Sequence, residues 1–186
     1  MFFVCIGLLL MIFSIGYPIA IAQRSSTTTN PIHIDKSLFL SSTAAEDIPT
    51  RIVIPSLQID IPVTPSRVVN GYWELSDTTA SYGLGSSYPG GSGNVVIFAH
   101  ARKGLFLPLR DIQKNAAVYV FTRSRWYHYS VATITTVDPT NVSVIAQTSQ
   151  PRLTLFTCSG FVDEKRLIVT AKPSDATLPT VVNTAN

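Results

Sequence analysis

The chain has 186 residues, 46% of them hydrophobic and only 13% charged, with a formal net charge of +3. That mild basicity comes with no Lys/Arg block and no aromatic-basic interleaving, which argues against a nucleic-acid partner. Two cysteines exclude a disulfide framework, because Cys5 lies inside the most apolar stretch of the chain.

That stretch is residues 2–22, FFVCIGLLLMIFSIGYPIAIA, and it carries no charge. At the helical rise it spans about 31 Å, close to one hydrocarbon core, so residues 1–22 are expected to form a transmembrane helix or signal anchor. Ala20-Ile21-Ala22 also resembles a small-x-small cleavage site, which makes a removed secretory signal the competing expectation. The run is longer than a usual signal core, and no basic region precedes it. Both readings place the remainder outside the cytoplasm. Arg24 and Lys36 follow the helix, and the positive-inside rule taken literally points the other way. The export expectation therefore rests on the chemistry of the folded part, not on these flanks.

Residues 23–48 are rich in Ser, Thr and Ala and read as an extracytoplasmic tether, with a short amphipathic piece around Ile34–Leu40. From Pro49 onward β signals dominate. Ile52–Ile54 and Ile59–Ile61 are short β-prone pieces broken by Pro55 and Pro62, as edge strands often are. SYGLGSSYPGGSGN, residues 81–94, reads as a long loop. Val95–Phe98 is continuously apolar, the mark of a strand buried on both faces. A brief helical spacing covers Leu105–Ile112, limited by Pro108. Ala116–Arg123 and Trp126–Val137 alternate as two paired strands, and Leu153–Thr157 and Arg166–Lys172 are the last two. The expected fold is all-β: residues 49–173 as a closed or nearly closed barrel of seven or eight strands with short helices. Residues 174–186 show no core pattern and are expected to be a disordered tail.

Three ionisable side chains fall at strand ends beside turn-like sequence: His100 after NVVIFA, Cys158 after LTLFT, and Arg166 at the start of RLIVTAK. Taken singly, each has an ordinary explanation as a small buried hydrophobe, a structural imidazole or a solvated edge charge. Taken together they make a chemical set. A free thiol is only slightly ionised at neutral pH, and a nearby imidazolium raises the thiolate fraction. The imidazole can then protonate a departing amine. A guanidinium keeps its charge and can hydrogen-bond the oxyanion formed when thiolate attacks an amide. His33 falls in the tether. His128 is expected on the surface, opposite Tyr127 and Tyr129 on its strand. Scattered His and one cysteine outside the apolar run lack any zinc-ligand spacing.

With these residues in view, positions from about 50 to 172 resemble a sortase, a family of exported cysteine transpeptidases of mainly Gram-positive-type cell surfaces. The family's TLxTC motif is matched by Thr154-Leu155-Phe156-Thr157-Cys158. GNVVIFAH, ending at His100, is similar to the strand that carries the family histidine, and RLIVTAK to the strand opened by its arginine. LFLPLRDI and IVIPSLQIDIPV also resemble family segments, as does the layout of an N-terminal anchor followed by a tether. Two positions depart from the common pattern. Ala99 stands where many members have Gly, and Ser159-Gly160-Phe161 follows the cysteine where a proline is frequent.

The resemblance implies a membrane-bound enzyme with its catalytic domain outside the cytoplasm. Cys158 would attack an LPxTG-like sorting signal of a surface protein, Arg166 would steady the oxyanion, and His100 would move the proton. Thr157 would shape the substrate pocket. An amine of a cell-wall precursor or a pilin would resolve the thioester. No cofactor is implied, and no acidic cluster suggests the calcium that class A members bind. The tail contains Thr177-Leu178-Pro179-Thr180-Val181, an echo of a sorting signal without its glycine, so self-inhibition is not expected. Other cysteine peptidases fit less well, since the G-x-C-G and S-H-G-C-x-R signatures are absent and the papain order is reversed. A catalytically degenerate or non-enzymatic membrane-tethered β-barrel binding module is the alternative.

Overall fold

The computed structural model describes residues 47–160 and 164–174. The anchor, all but the end of the tether, and the tail beyond Ser174 lie outside the described residues. No helix among the described residues is long and apolar enough to cross a membrane.

The described strands are β1 (Arg51–Ile54), β2 (Ile59–Ser66), β3 (Val68–Val69), β4 (Tyr72–Trp73), β5 (Ala80–Gly83), β6 (Asn94–Phe98), β7 (Ala117–Phe121), β8 (Trp126–Val137), β9 (Arg152–Ser159) and β10 (Lys165–Pro173). Eight of them close a barrel in the order β1-β2-β5-β6-β9-β10-β8-β7, and β3 and β4 form a separate hairpin. Closure pairs every strand on both sides and removes the sheet edges. Two pairings are parallel, β2 with β5 and β6 with β9. Ile48 already packs on the barrel core, so the folded unit begins slightly before Pro49.

Three local expectations are corrected. Pro62 does not end its strand: β2 runs on to Ser66 because Pro62 lies opposite Arg51, before pairing with β5 starts at Val63. There its missing N–H breaks no ladder bond. The expected loop at 81–94 begins inside β5, whose four residues are all buried. The helical spacing at 105–112 yields only a 3-10 turn, Leu107–Asp111, with Pro108 in its first turn. Its apolar positions are still used, since Leu105, Phe106, Leu109 and Ile112 plug one end of the barrel.

Alternation divides the wall into two faces. Val95 and Ile97 of β6, Leu153 and Leu155 of β9, and Leu167 and Val169 of β10 point into the barrel core. Val96, Phe98, Phe156 and Ile168 point outward, where they join Trp73 and Ile145 in a second apolar cluster. Phe98 stacks on Phe156 with ring centroids 4.8 Å apart and on Trp73 at 5.5 Å. Trp73 lies so close to Gly83 that any Cβ there would overlap the indole ring. β6 and β9 are thus covered on both sides, as the unbroken apolar run at 95–98 implies.

A polar knot anchors the loop that covers this outer face. Asn94 is fully buried; its amide donates to Val144 O (3.3 Å) and Ala146 O (3.1 Å) and accepts from Thr154 Oγ1 (2.7 Å). Gln147 Oε1 accepts from the Asn94 N–H and from Ser87 Oγ, both at 3.0 Å. Asn94→Ala leaves two carbonyls and a hydroxyl without this partner and is expected to lower stability by about 3 kcal/mol in urea unfolding. A loss below about 1 kcal/mol would show that the loop is held by its apolar contacts alone.

Candidate active site

The backbone hydrogen bonds set the geometry of the site. In the antiparallel pair β9–β10, Arg166 lies directly opposite Cys158. In the parallel pair β6–β9, Phe98 lies level with Phe156. The ladder continues past the end of β6, where the Ala99 N–H donates to Phe156 O at 3.3 Å and Thr157 Oγ1 donates to Ala99 O at 2.8 Å. Two positions beyond Phe98 and Phe156, His100 therefore comes level with Cys158. The histidine, the thiol and the arginine stand in one row across three neighbouring strands, with the thiol in the middle. Strand spacing in a sheet is about 4.8 Å.

They also share a face. His100 follows Val96 and Phe98 in the alternation of β6, Cys158 follows Phe156 on β9, and Arg166 precedes Ile168 on β10. All four of those apolar residues belong to the outer cluster. The row sits at the rim of the barrel, at the end of an apolar floor.

Each member is held differently. His100 is anchored through its carbonyl, which accepts the Phe106 N–H at 3.1 Å, so the barrel plug also fixes the histidine backbone. Its side chain is 25% exposed, and Nε2 lies 3.5 Å from Asp77 Oδ1. The same carboxylate oxygen accepts a bond from Arg102 Nη2 at 2.7 Å. Asp77 itself is 80% exposed, so water screens this cluster and its energetic weight is small. Arg166 is only 2% exposed, and Nη1 donates to Lys165 O at 2.9 Å. Lys165 turns away to Asp138 at 2.6 Å, a hydrogen bond that raises the pKa of the ammonium. Cys158 is half-buried. Thr157 is buried on the inner face, with its hydroxyl committed to Ala99 O.

A cleft of about 240 Å³ opens beside the thiol, lined by Ala101, Leu107, Arg110, Thr157, Cys158, Gly160 and Leu167. The row of candidate residues was legible from the motifs, whereas Asp77, Arg102 and Arg110 were not singled out. Asp77 lies in a Ser/Thr turn in which Ser76 Oγ accepts from the Thr78 and Thr79 amides, and SDTT is its sequence signal. The two arginines carried no local signal, because their meaning depends on how the plug folds back. His33 lies outside the described residues. His128 stacks on Tyr119 at 4.8 Å, on the wall away from this row. Among the described residues, no three His, Cys, Asp or Glu side chains gather as a metal site.

Comparison with known proteins places the chain in a family. The Sortase domain family model matches residues 52–174. Sortase A of Streptococcus agalactiae is 30% identical over 151 residues, covering 74% of this chain and 58% of that protein. Sortase A of Listeria monocytogenes is 35% identical over 71 residues, covering 37% of this chain and 32% of that protein. The chain thus spans under three fifths of the length of the first of these curated relatives and about a third of the second. Among solved structures, a lid mutant of sortase A from Corynebacterium diphtheriae aligns with a TM-score of 0.59 and 25% identity, over 72% of this chain and 74% of that one. Sortase C2 of Group B Streptococcus Pilus Island 1 aligns with a TM-score of 0.60 and 26% identity, over 79% and 88%. With the family match spanning the whole barrel and the TLxTC cysteine at the centre of the row, the chain belongs to the sortase family.

Proposed function

We propose that this protein is a membrane-anchored cysteine transpeptidase. It cleaves an LPxTG-like sorting signal through a thioester on Cys158 and transfers the acyl half to an amine of a cell-wall precursor or a pilin. The observation that carries this reading is the single row of His100, Cys158 and Arg166 on one face of three adjacent strands. The pilus-related neighbour supports an acceptor of the pilin kind, and the apolar segment at 2–22 supports membrane attachment with the barrel outside the cytoplasm.

The steps follow from the placement. The Cys158 thiolate adds to the carbonyl carbon of the threonine in the signal, and the carbonyl oxygen takes up the negative charge. The Arg166 guanidinium donates hydrogen bonds to that oxygen in a site largely screened from water, where such bonds stabilise charge most. Collapse of the adduct breaks the C–N bond, and His100, in its protonated form, gives its proton to the leaving amine. Neutral His100 then accepts a proton from the incoming amine as that amine attacks the thioester, and the thiolate is regenerated. Thr157 keeps the β6–β9 register through its bond to Ala99 O and so shapes the pocket beside the thiol. No cofactor enters any step.

Cys158→Ala is expected to abolish the acyl-enzyme while leaving the thermal melt unchanged. Mass spectrometry of enzyme mixed with a sorting-signal peptide checks it, and a thioester-sized mass shift surviving in the alanine variant contradicts the assignment. Arg166→Lys keeps a charge but loses the planar fork, and is expected to lower kcat about 10²–10³-fold. Lysine working nearly as well would mean that charge alone suffices. Full-length protein is expected in the membrane fraction at its full mass. A soluble form beginning at Gln23 would instead indicate cleavage after Ala22.

A further inference from the structure

The cleft beside Cys158 lies on the other side of β9 from the catalytic row. Thr157 and Leu167, which line it, occupy the inward positions of β9 and β10, and Leu107 and Arg110 reach it from the plug of the barrel mouth. The thiol-bearing residue itself is part of its lining. Its walls are apolar at Ala101, Leu107 and Leu167, and among the described residues its one charged lining residue is Arg110.

Arg110 is set up differently from the other arginines near the site. Arg102 is engaged with Asp77, and Arg166 is buried. Arg110 is exposed, and its Nε donates to Leu107 O at 3.1 Å, which fixes the plane of the guanidinium. Among the described residues, no carboxylate lies within ion-pair distance of it. Its terminal nitrogens thus remain available as a fork of the kind that takes a carboxylate with two parallel bonds. The cleft volume falls just below the range of about 300–1,000 Å³ typical of whole small-molecule sites, so it suits an end group with a short apolar stem.

We propose that Arg110 is a specificity-determining residue that binds a substrate carboxylate in this cleft, within reach of the acylated Cys158. The inference rests on the transpeptidase reading above. Two sources supply that chemistry: an acidic side chain at the variable position of the sorting signal, or a carboxylate beside the attacking amine of the acceptor. The second source follows more directly from the layout, because the row of His100 and Arg166 already occupies the outer face of β9 and leaves the inner side open for a second ligand.

The test uses the full chain and two pairs of probes. The donor arm compares Leu-Pro-Glu-Thr-Gly with Leu-Pro-Gln-Thr-Gly peptides by kcat/KM. The acceptor arm compares meso-diaminopimelate with cadaverine, which is the same diamine without the two carboxylates, by the ratio of transfer to hydrolysis. In one arm, wild type is expected to prefer the carboxylate probe about tenfold, the scale of one charge-assisted hydrogen bond. Arg110→Gln removes that preference through KM, Arg110→Lys keeps only part of it because the planar fork is lost, and Arg110→Glu reverses it; the arm that responds identifies the source. Ratios that change less than about twofold in both arms, with the peptides still turned over, overturn this inference alone. Wild-type enzyme that forms no acyl-enzyme with either peptide overturns the transpeptidase reading, and this inference with it.

Discussion

Strands β6 and β9 run parallel, side by side, and both end at the same rim of the barrel. Parallel neighbours require a long crossover between them, and here the chain between Phe98 and Arg152 is spent on the plug, β7, β8 and the loop bearing Val142–Ile145. The pairing therefore joins two segments more than fifty residues apart and sets their ends level. A slip of one residue would turn His100 or Cys158 to the opposite face. Register in this one pair decides whether an imidazole and a thiol can meet.

Several features elsewhere protect that register. The inward residues of both strands are locked in the barrel core, and the outward ones are locked under Trp73, Ile145 and Ile168. The stacked rings of Phe98 and Phe156 add about 0.5–1.5 kcal/mol beyond their burial. Asn94 and Thr154 tie the strands together near their far ends, and Ala99 and Thr157 do so at the rim. On the other side of β9, the antiparallel ladder with β10 delivers Arg166 at the same level. Its guanidinium is held under cover, where directed hydrogen bonds to a developing oxyanion carry most weight. These contacts suit a reaction that needs three side chains placed by backbone geometry.

The sequence was most informative where one local pattern had a single structural solution. Val95–Phe98 is apolar at every position because both its faces are covered, and the structure buries all of β6. LTLFTC and RLIVTAK read as strands with ionisable residues at their ends, and the ladder places those ends opposite one another. Legibility failed where long-range closure overrode local chemistry. Pro62 looked like a strand breaker, yet the barrel uses a position where its missing N–H group does no harm. Ser81–Gly83 looked like loop, because Gly83 is small for the sake of Trp73 and not for a turn. The hairpin of β3 and β4 did carry a signal in Asn70-Gly71, both at positive φ. Arg110 had no readable signal at all, since only the fold of the plug brings it to the thiol.

The most direct test of the central claim is a crystal structure of the enzyme with a sorting-signal peptide ending in threonine aldehyde. The aldehyde forms a hemithioacetal whose oxygen stands where the oxyanion would be. The account predicts a bond to Cys158 Sγ and the oxygen within about 2.7–3.1 Å of the Arg166 guanidinium, on the outer side of the rim beside His100. A hemithioacetal oxygen pointed into the barrel mouth, away from Arg166 and His100, would contradict it.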